Sequence, residues 1–265
     1  MKKTRKLTAA LLALMLCLGL AACGTKESPA RTDMDDIKDK GKLVVGITDF
    51  APMDFQDESG DWVGFDAELA KAFAESLGVK AEFQVIDWDN KVMELNGKTI
   101  DCVWNGMTLS AEVQSAMECS NAYCNNAQVV VVPADKAADA QSVEAVKGLT
   151  FAVEAGSAGK DMAVENGFTY IEVVDQATAL LEVKSGTADA AIIDALMAGA
   201  MVGEGTDYAD LAYTIGLNSE EYGVGFRKGS NVAASLNEFM KRAYADGTMP
   251  ALAEKYGIEA ALIAQ

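Results

Sequence analysis

Short apolar runs alternate with amphipathic segments along most of the chain. Residues 43–47 form an apolar run of strand length. Glu58-Ser59-Gly60-Asp61 reads as a turn between Phe55 and the stretch 62–65. Leu69, Phe73 and Leu77 then recur every fourth residue, the spacing of one helix face, and Gly78 marks a stop. The pattern predicts a strand over 80–86, a helix over 91–95 and a strand over 100–104. A second series follows an apolar run at 129–132. It comprises strand 149–153, helix 159–165, strand 170–174, helix 177–183, strand 190–193 and helix 195–202. An extended stretch at 222–226 precedes two amphipathic helices, 232–244 and 250–256. Strands alternating with helices predict α/β architecture with parallel sheets.

The two series echo one another. Glu94-Leu95-Asn96-Gly97 leads to Asp101 and an apolar strand ending at Asn105-Gly106. Glu182-Val183-Lys184-Ser185-Gly186 leads to Asp189 and an apolar strand ending at Ile193-Asp194. Each unit reads as helix, glycine stop, Asp, buried strand and polar tip. Ligands of open α/β sheets collect beyond the C-terminal strand ends, so two such units predict a cleft with one polar tip on each side.

At the N-terminus, Lys2, Lys3, Arg5 and Lys6 precede an apolar run over 7–20. Small residues follow, the pattern of an export signal. The run is shorter than the ~20 apolar residues of a membrane span. Leu20-Ala21-Ala22-Cys23 resembles the lipobox of bacterial lipoproteins. That resemblance implies a signal peptide over 1–22, a lipid on Cys23 and a flexible tether over 23–32. The soluble domain then sits outside the cytoplasm, on the outer face of the cell membrane. The alternative is an ordinary signal peptide with an incidental cysteine.

Composition narrows the chemistry. Beyond the signal, 18 basic residues face 40 acidic ones, a formal charge of −22. Nucleic acid is disfavoured, since phosphate binding needs clusters of Lys and Arg. The chain has no histidine, which removes His bases, Ser-His-Asp sites and His metal ligands. No metal or cofactor is expected. Cys102, Cys119 and Cys124 remain. Cys119 and Cys124 can pair only if the four residues between them turn back; otherwise all three are buried thiols.

Gly156-Ser157-Ala158-Gly159-Lys160 invites a phosphate-loop reading, but position 154 is Glu and Asp161 follows the lysine. It reads better as a strand-to-helix turn whose free N–H groups face the cleft. Asp57, Ser59, Asp61 and Glu68 have partial calcium-loop spacing, yet Trp62 stands where glycine is required, so a hairpin turn is expected. Asp194 ends an apolar strand, where a carboxylate caps the next helix, binds a cation, or does both. Phe50, Trp88 and Trp104 stand at strand ends, where an aromatic ring can stack on a substrate or belong to the core.

From Leu43 onward the chain resembles the family 3 solute-binding proteins of polar amino acid ABC importers. Gly64-Phe65-Asp66-Ala67-Glu68-Leu69-Ala70-Lys71-Ala72 carries the resemblance most strongly. Asp87-Trp88-Asp89, Gly106-Met107-Thr108-Leu109-Ser110, Ser120-Asn121-Ala122-Tyr123 and Tyr222-Gly223-Val224-Gly225-Phe226 continue it in order. The resemblance implies a type II periplasmic-binding-protein fold. It would have two α/β lobes, two crossover strands (127–132 and 222–226) and a ligand cleft between the lobes. Lobe one would hold 33–127 plus 222–265, and lobe two 128–221. The implied function is non-enzymatic. A monomer captures a small amino acid or amine by hinge closure and delivers it to an ABC permease and ATPase. Two alternatives share the fold, a cyclohexadienyl-dehydratase-like enzyme and a sensor acting with a separate signalling partner.

The resemblance also assigns site residues. Phe50 covers the ligand; Asn105, Gly106 and Thr108 give backbone and hydroxyl hydrogen bonds; Asp194 pairs with the α-ammonium. Apart from the resemblance, Trp88 and Trp104 join them as aromatic rings at strand ends, and Ser157 as part of the lobe-two turn. Two positions depart from the family pattern. The Arg that grips an α-carboxylate is Val113, and the usual Thr of the lobe-two turn is Ala158. A hydrogen bond to a charged group is worth roughly 1.5–3 kcal/mol. These changes therefore predict an amine or a modified amino acid, unless backbone N–H groups hold the carboxylate.

Overall fold

The structure, a computed structural model, describes residues 31–265. The signal, Cys23 and all but the last two tether residues lie outside the described residues. Thr32 opens the helix Asp33–Lys40 with a reciprocal cap. Its hydroxyl accepts from Asp35 N, and the Asp35 carboxylate accepts from Thr32 N.

The strands are β1 (Lys42–Ile47), β2 (Phe55–Gln56), β3 (Trp62–Val63), β4 (Lys80–Val85), β5 (Cys102–Thr108), β6 (Met117–Cys119) and β7 (Cys124–Asn126). They continue as β8 (Gln128–Pro133), β9 (Thr150–Glu154), β10 (Thr169–Val173), β11 (Ala190–Asp194), β12 (Leu211–Gly216) and β13 (Glu220–Arg227). Two large sheets form among the described residues, one per lobe, beside the small pair β2–β3. The first has the order β4-β1-β5-β13-β6, with β7 also on β13; the second is β10-β9-β11-β8-β12. The pair β2–β3 is the expected hairpin, and Asp57 Oδ1 closes its turn by accepting from Ser59 N and Asp61 N.

The sheets are mixed rather than parallel. Strands β1, β4 and β5 run together, as do β9, β10 and β11. However, β13 runs against β5, β6 and β7, and β8 runs against β11 and β12. The reason is connectivity. Strands β8 and β13 are entered directly from the other sheet, without the helical crossover that keeps neighbours parallel.

The chain leaves the first sheet at Asn126 and enters the second at Gln128; it returns between Gly216 and Glu220. The two crossings are tied together. Gln128 N donates to Asn218 Oδ1 at 2.6 Å, and Leu217 N donates to Gln128 O at 2.8 Å.

Helix Phe65–Ser76 covers β1, β4 and β5. In the second lobe, Phe151 and Val153 of β9 pack with Ala163 of helix Ala158–Asn166. Ala152 packs with Ala179, Leu180 and Val183 of helix Gln176–Ser185, so the sheet is covered on both faces.

All three cysteines are free thiols. The segment between Cys119 and Cys124 does not turn back. Cys119 pairs with Gly225 and Cys124 with Tyr222, three places apart along β13. At ~3.3 Å per residue they stand about 10 Å apart, beyond disulfide reach.

Candidate functional site

The C-terminal ends of β1, β5, β9 and β11 converge on a cavity of about 290 Å³ between the lobes. Phe50, Trp88, Asn105, Gly106, Thr108, Val113, Ser157, Ala158 and Asp194 all line it. Trp104 does not. It is fully buried and packs on Phe73, with ring centroids 6.3 Å apart, beneath helix Phe65–Ser76. Side chains alternate along β5, so Trp104 shares the core face with Cys102, while Val103 and Met107 take the other face.

Asp194 ends β11 and is only 4 % exposed. It stands at the start of helix Ala195–Met201 but makes no side-chain capping bond, so of the roles open to it the cap is not taken. Its carboxylate is instead a hub. Oδ1 accepts from Tyr222 Oη at 2.5 Å, Gln128 Nε2 at 3.0 Å and Asn126 Nδ2; Oδ2 accepts from Gln176 Nε2. Gln176 returns its Oε1 to Asp194 N at 2.8 Å. Burial first, and then the neighbouring Glu220 carboxylate, push the Asp194 pKa up to about 7 against these donors.

Glu220 takes from the same donors. Its Oε1 accepts from Asn126 Nδ2 at 2.7 Å, Gln128 Nε2 at 2.8 Å and Thr108 Oγ1 at 3.1 Å. The two amides at the first crossing thus hold one carboxylate from β11 and one from β13.

The expected lobe-one donors are already engaged. Gly106 N donates to buried Asp66 Oδ2 at 2.7 Å, which also accepts from Tyr123 Oη at 2.7 Å. Asn105 Nδ2 donates to Asp54 Oδ2 at 2.8 Å, and its Oδ1 accepts from Thr48 N and Oγ1. The Thr108 hydroxyl donates to Glu220. Gly106 N–H, the Asn105 side-chain amide and the Thr108 hydroxyl thus all have acceptors within the protein.

Two carboxylate-binding resources remain. The helix Ala158–Asn166 opens at the cavity, with Ser157 as its cap accepting from Lys160 N. Gly156, Ser157, Ala158 and Lys160 of this turn line the cavity, and the N-terminus of a helix can hold an anion. Lys91 is the other. Its Nζ reaches across the cleft to Gly156 O at 2.8 Å, donates to Trp88 O at 3.1 Å and lies 5.0 Å from the Trp88 ring centre. Burial lowers its pKa, and nearby Glu154 opposes that shift.

Sequence reasoning missed Lys91, Glu154 and Gln176, all of which line the cavity. Five carboxylates (Asp89, Glu112, Glu154, Asp161 and Asp194) share the lining with two ammonium groups, Lys91 and Lys160. Lys160 is paired outward with Glu172 at 3.0 Å. Trp88, Val92, Val113 and Ala116 supply an apolar wall. The arrangement is an acidic pole beside an apolar wall, which suits an organic cation.

A pH dependence follows. Burial raises the Asp194 pKa to about 7 and that of Asp66 to about 6, both from 3.8. Each acid holds its proton more tightly folded than unfolded. Its stabilising contribution is full below about pH 4 and is lost as pH rises through the folded value. The ligand-free protein is expected to melt at lower temperature at pH 7.5 than at pH 5, with Asp194 contributing on the order of 2 kcal/mol. A calorimetric pH series checks this; a melting temperature that rises over that interval contradicts it.

Comparison with known proteins agrees with the fold. The model of the bacterial extracellular solute-binding proteins, family 3, matches residues 43–259. The arginine-binding extracellular protein ArtP of Bacillus subtilis (strain 168) is 30% identical over 253 residues, covering 93% of this chain and 95% of that one. The crystal structure of the P235GK mutant of ArgBP from T. maritima superposes with a TM-score of 0.80 at 33% identity, covering 85% of this chain and 99% of that one. The ancestral amino acid-binding protein AncCDT-1, a precursor of cyclohexadienyl dehydratase, gives a TM-score of 0.77 at 32% identity, covering 84% and 98%. With two α/β lobes around an interlobe cavity and a family match spanning most of its length, the chain belongs to the bacterial extracellular solute-binding proteins, family 3.

Proposed function

We propose that this protein captures an amino acid or an amino-acid-like amine between its lobes and hands it to the permease of an ABC importer. Asp194 pairs with the ligand's ammonium group, Phe50 and Trp88 flank it, and Val113 gives it an apolar wall. The observation that carries this reading is Asp194, buried in the interlobe cavity and fixed there by four side-chain donors. Lobe one is residues 33–127 plus 222–265 and lobe two is 128–221. They close about the crossings at Asn126–Gln128 and Gly216–Glu220. A lipid on Cys23 keeps the monomeric domain at the outer face of the cell membrane. ArtP is named as an arginine-binding protein, in line with an ammonium-bearing ligand.

Val113, Ala158 and the engaged donors of lobe one favour ligands whose carboxylate is absent or blocked. Any carboxylate would have to rely on Lys91 and the N-terminus of helix Ala158–Asn166. The test is a thermal-shift panel on the domain, stripped of ligand by unfolding and refolding. It includes amino acids, their amides and esters, polyamines and biogenic amines. Ligand that binds only the native state raises the melting temperature by mass action. An upward shift with compounds of this panel is expected. No shift with any of them, or dehydration of added prephenate, would overturn the reading.

A further inference from the structure

Glu154 is the largest loose end in the cavity. It closes β9, is 2 % exposed, and lines the same cavity as Asp194. Its Oε1 has no hydrogen-bond partner. Burying a carboxylate oxygen without a donor is costly, and folded proteins almost always supply one. The nearby donors leave this oxygen unserved. Gln176 hydrogen-bonds the Glu154 carboxylate but shares its Nε2 with Asp194, Ser157 Oγ donates to the Glu154 carbonyl at 2.8 Å, and Lys91 places two of its three N–H groups on Trp88 O and Gly156 O, acting on Glu154 through its charge.

We infer that Glu154 is a second cation subsite, and that the natural ligand carries two cationic groups joined by an aliphatic linker. One group sits at Asp194 and the other at Glu154. The inference rests on the proposed amine-binding function and narrows its substrate class. The apolar wall of Val92, Val113 and Ala116 accommodates the methylenes between the charges. A volume of about 290 Å³ lies at the small end of ligand pockets, so the linker is short. Charge points the same way. With Lys160 turned to Glu172, Lys91 alone opposes five lining carboxyl groups, and a dication offsets more of that acidic excess than a monocation does. Burial, followed by Asp194 and Asp175, holds the Glu154 carboxyl well above the usual range, and a cation beside it would draw it back.

Isothermal titration of the stripped domain tests this. The ligands with two cationic groups, the dications of this test, are 1,4-diaminobutane, 1,5-diaminopentane and agmatine, with lysine and arginine, which add a carboxylate; the controls with one cationic group are 1-aminobutane, glutamine and leucine. The tightest dication is expected to bind at least about tenfold more strongly than the tightest control, one charge-assisted bond's worth. Glu154→Gln is expected to narrow that gap to under about threefold. Either a diamine or a basic amino acid as the tightest ligand supports the subsite, and the pair separates ligands with and without a carboxylate. A control that binds as tightly as any dication overturns it, even if the variant misfolds. An unchanged gap in a folded Glu154→Gln protein overturns it as well. In both cases amine binding stands, whereas the amine-binding function falls only if neither series binds.

Discussion

Asp194→Asn is expected to weaken ligand binding at least about 100-fold while leaving the domain folded. The substitution keeps size and one acceptor oxygen, so Tyr222, Gln128 and Asn126 still have an acceptor, while Gln176 faces an NH2 group in place of Oδ2. It removes the one thing a neutral amide cannot supply, a full negative charge in a site 4 % exposed. Leaving a buried charge without its partner costs about 3–5 kcal/mol, which is about 100-fold or more in affinity. Titration calorimetry at pH 8, where Asp194 is ionised, reads the loss. The wild-type protein supplies an internal check. A cationic ligand must displace the proton held with a pKa of about 7, so affinity falls as the solution is acidified below that value. Binding at pH 6 then releases a proton, seen as a dependence of the heat on buffer ionisation. Asp194→Asn loses that dependence. A variant that binds within threefold of wild type would remove Asp194 from the site.

Gly156→Ala is expected to weaken binding by a different route. Gly156 has φ +70°, and a Cβ there would sit 2.6 Å from Asp89 Cα and 2.7 Å from Asp89 Oδ1. Asp89 belongs to the first lobe and Gly156 to the second, so the collision lies across the cleft. Left-handed backbone costs an alanine about 1–2 kcal/mol whether or not the lobes meet. The clash with main-chain atoms is felt only when they do. The contact at stake includes the Lys91 Nζ to Gly156 O bond of 2.8 Å, which spans the cavity mouth. Affinity is expected to drop about 30-fold or more, on the order of 2 kcal/mol. Small-angle scattering at saturating ligand should show a larger radius of gyration than for wild type. Equal affinity and equal radius would mean that the lobes need not meet at this point.

Much of the fold was legible because its βα units are local. The strand and helix expected over 149–165 appear as β9 and helix Ala158–Asn166, with only the ends moved. Helix Asp33–Lys40 escaped notice because six of its eight residues are charged and only Met34 and Ile37 are buried. Its reciprocal cap, acidic first turn and basic last turn hold it instead of an apolar stripe. Asp194 could be found from its place after an apolar strand. Trp104 could be core or platform by its place in the chain, and its parity along β5, shared with Cys102, decides for the core. Lys91 and Glu154 had no local signature. A lysine in a short helix and a glutamate at a strand end are ordinarily solvated. Only the meeting of lobes, which brings Lys91 to a carbonyl 65 residues away, buries them. The same holds for Gly106 N–H and Thr108, whose acceptors Asp66 and Glu220 lie 40 and 112 residues distant.

The position of β13 bears on how the chain reaches this state. All five strands of the second sheet lie within a continuous stretch, from Gln128 to Gly216. The first sheet has no such luxury, because β13 inserts between β5 and β6 and comes from residues 220–227. As the chain emerges during synthesis, the later lobe can complete its sheet while the earlier one waits with a gap at its centre. Until β13 arrives, β5 presents bare N–H and C=O groups, the kind of edge that recruits strands from other molecules. Conditions that delay the last third of the chain should therefore favour aggregation through the N-terminal half, and a chaperone guarding this protein would find its target there.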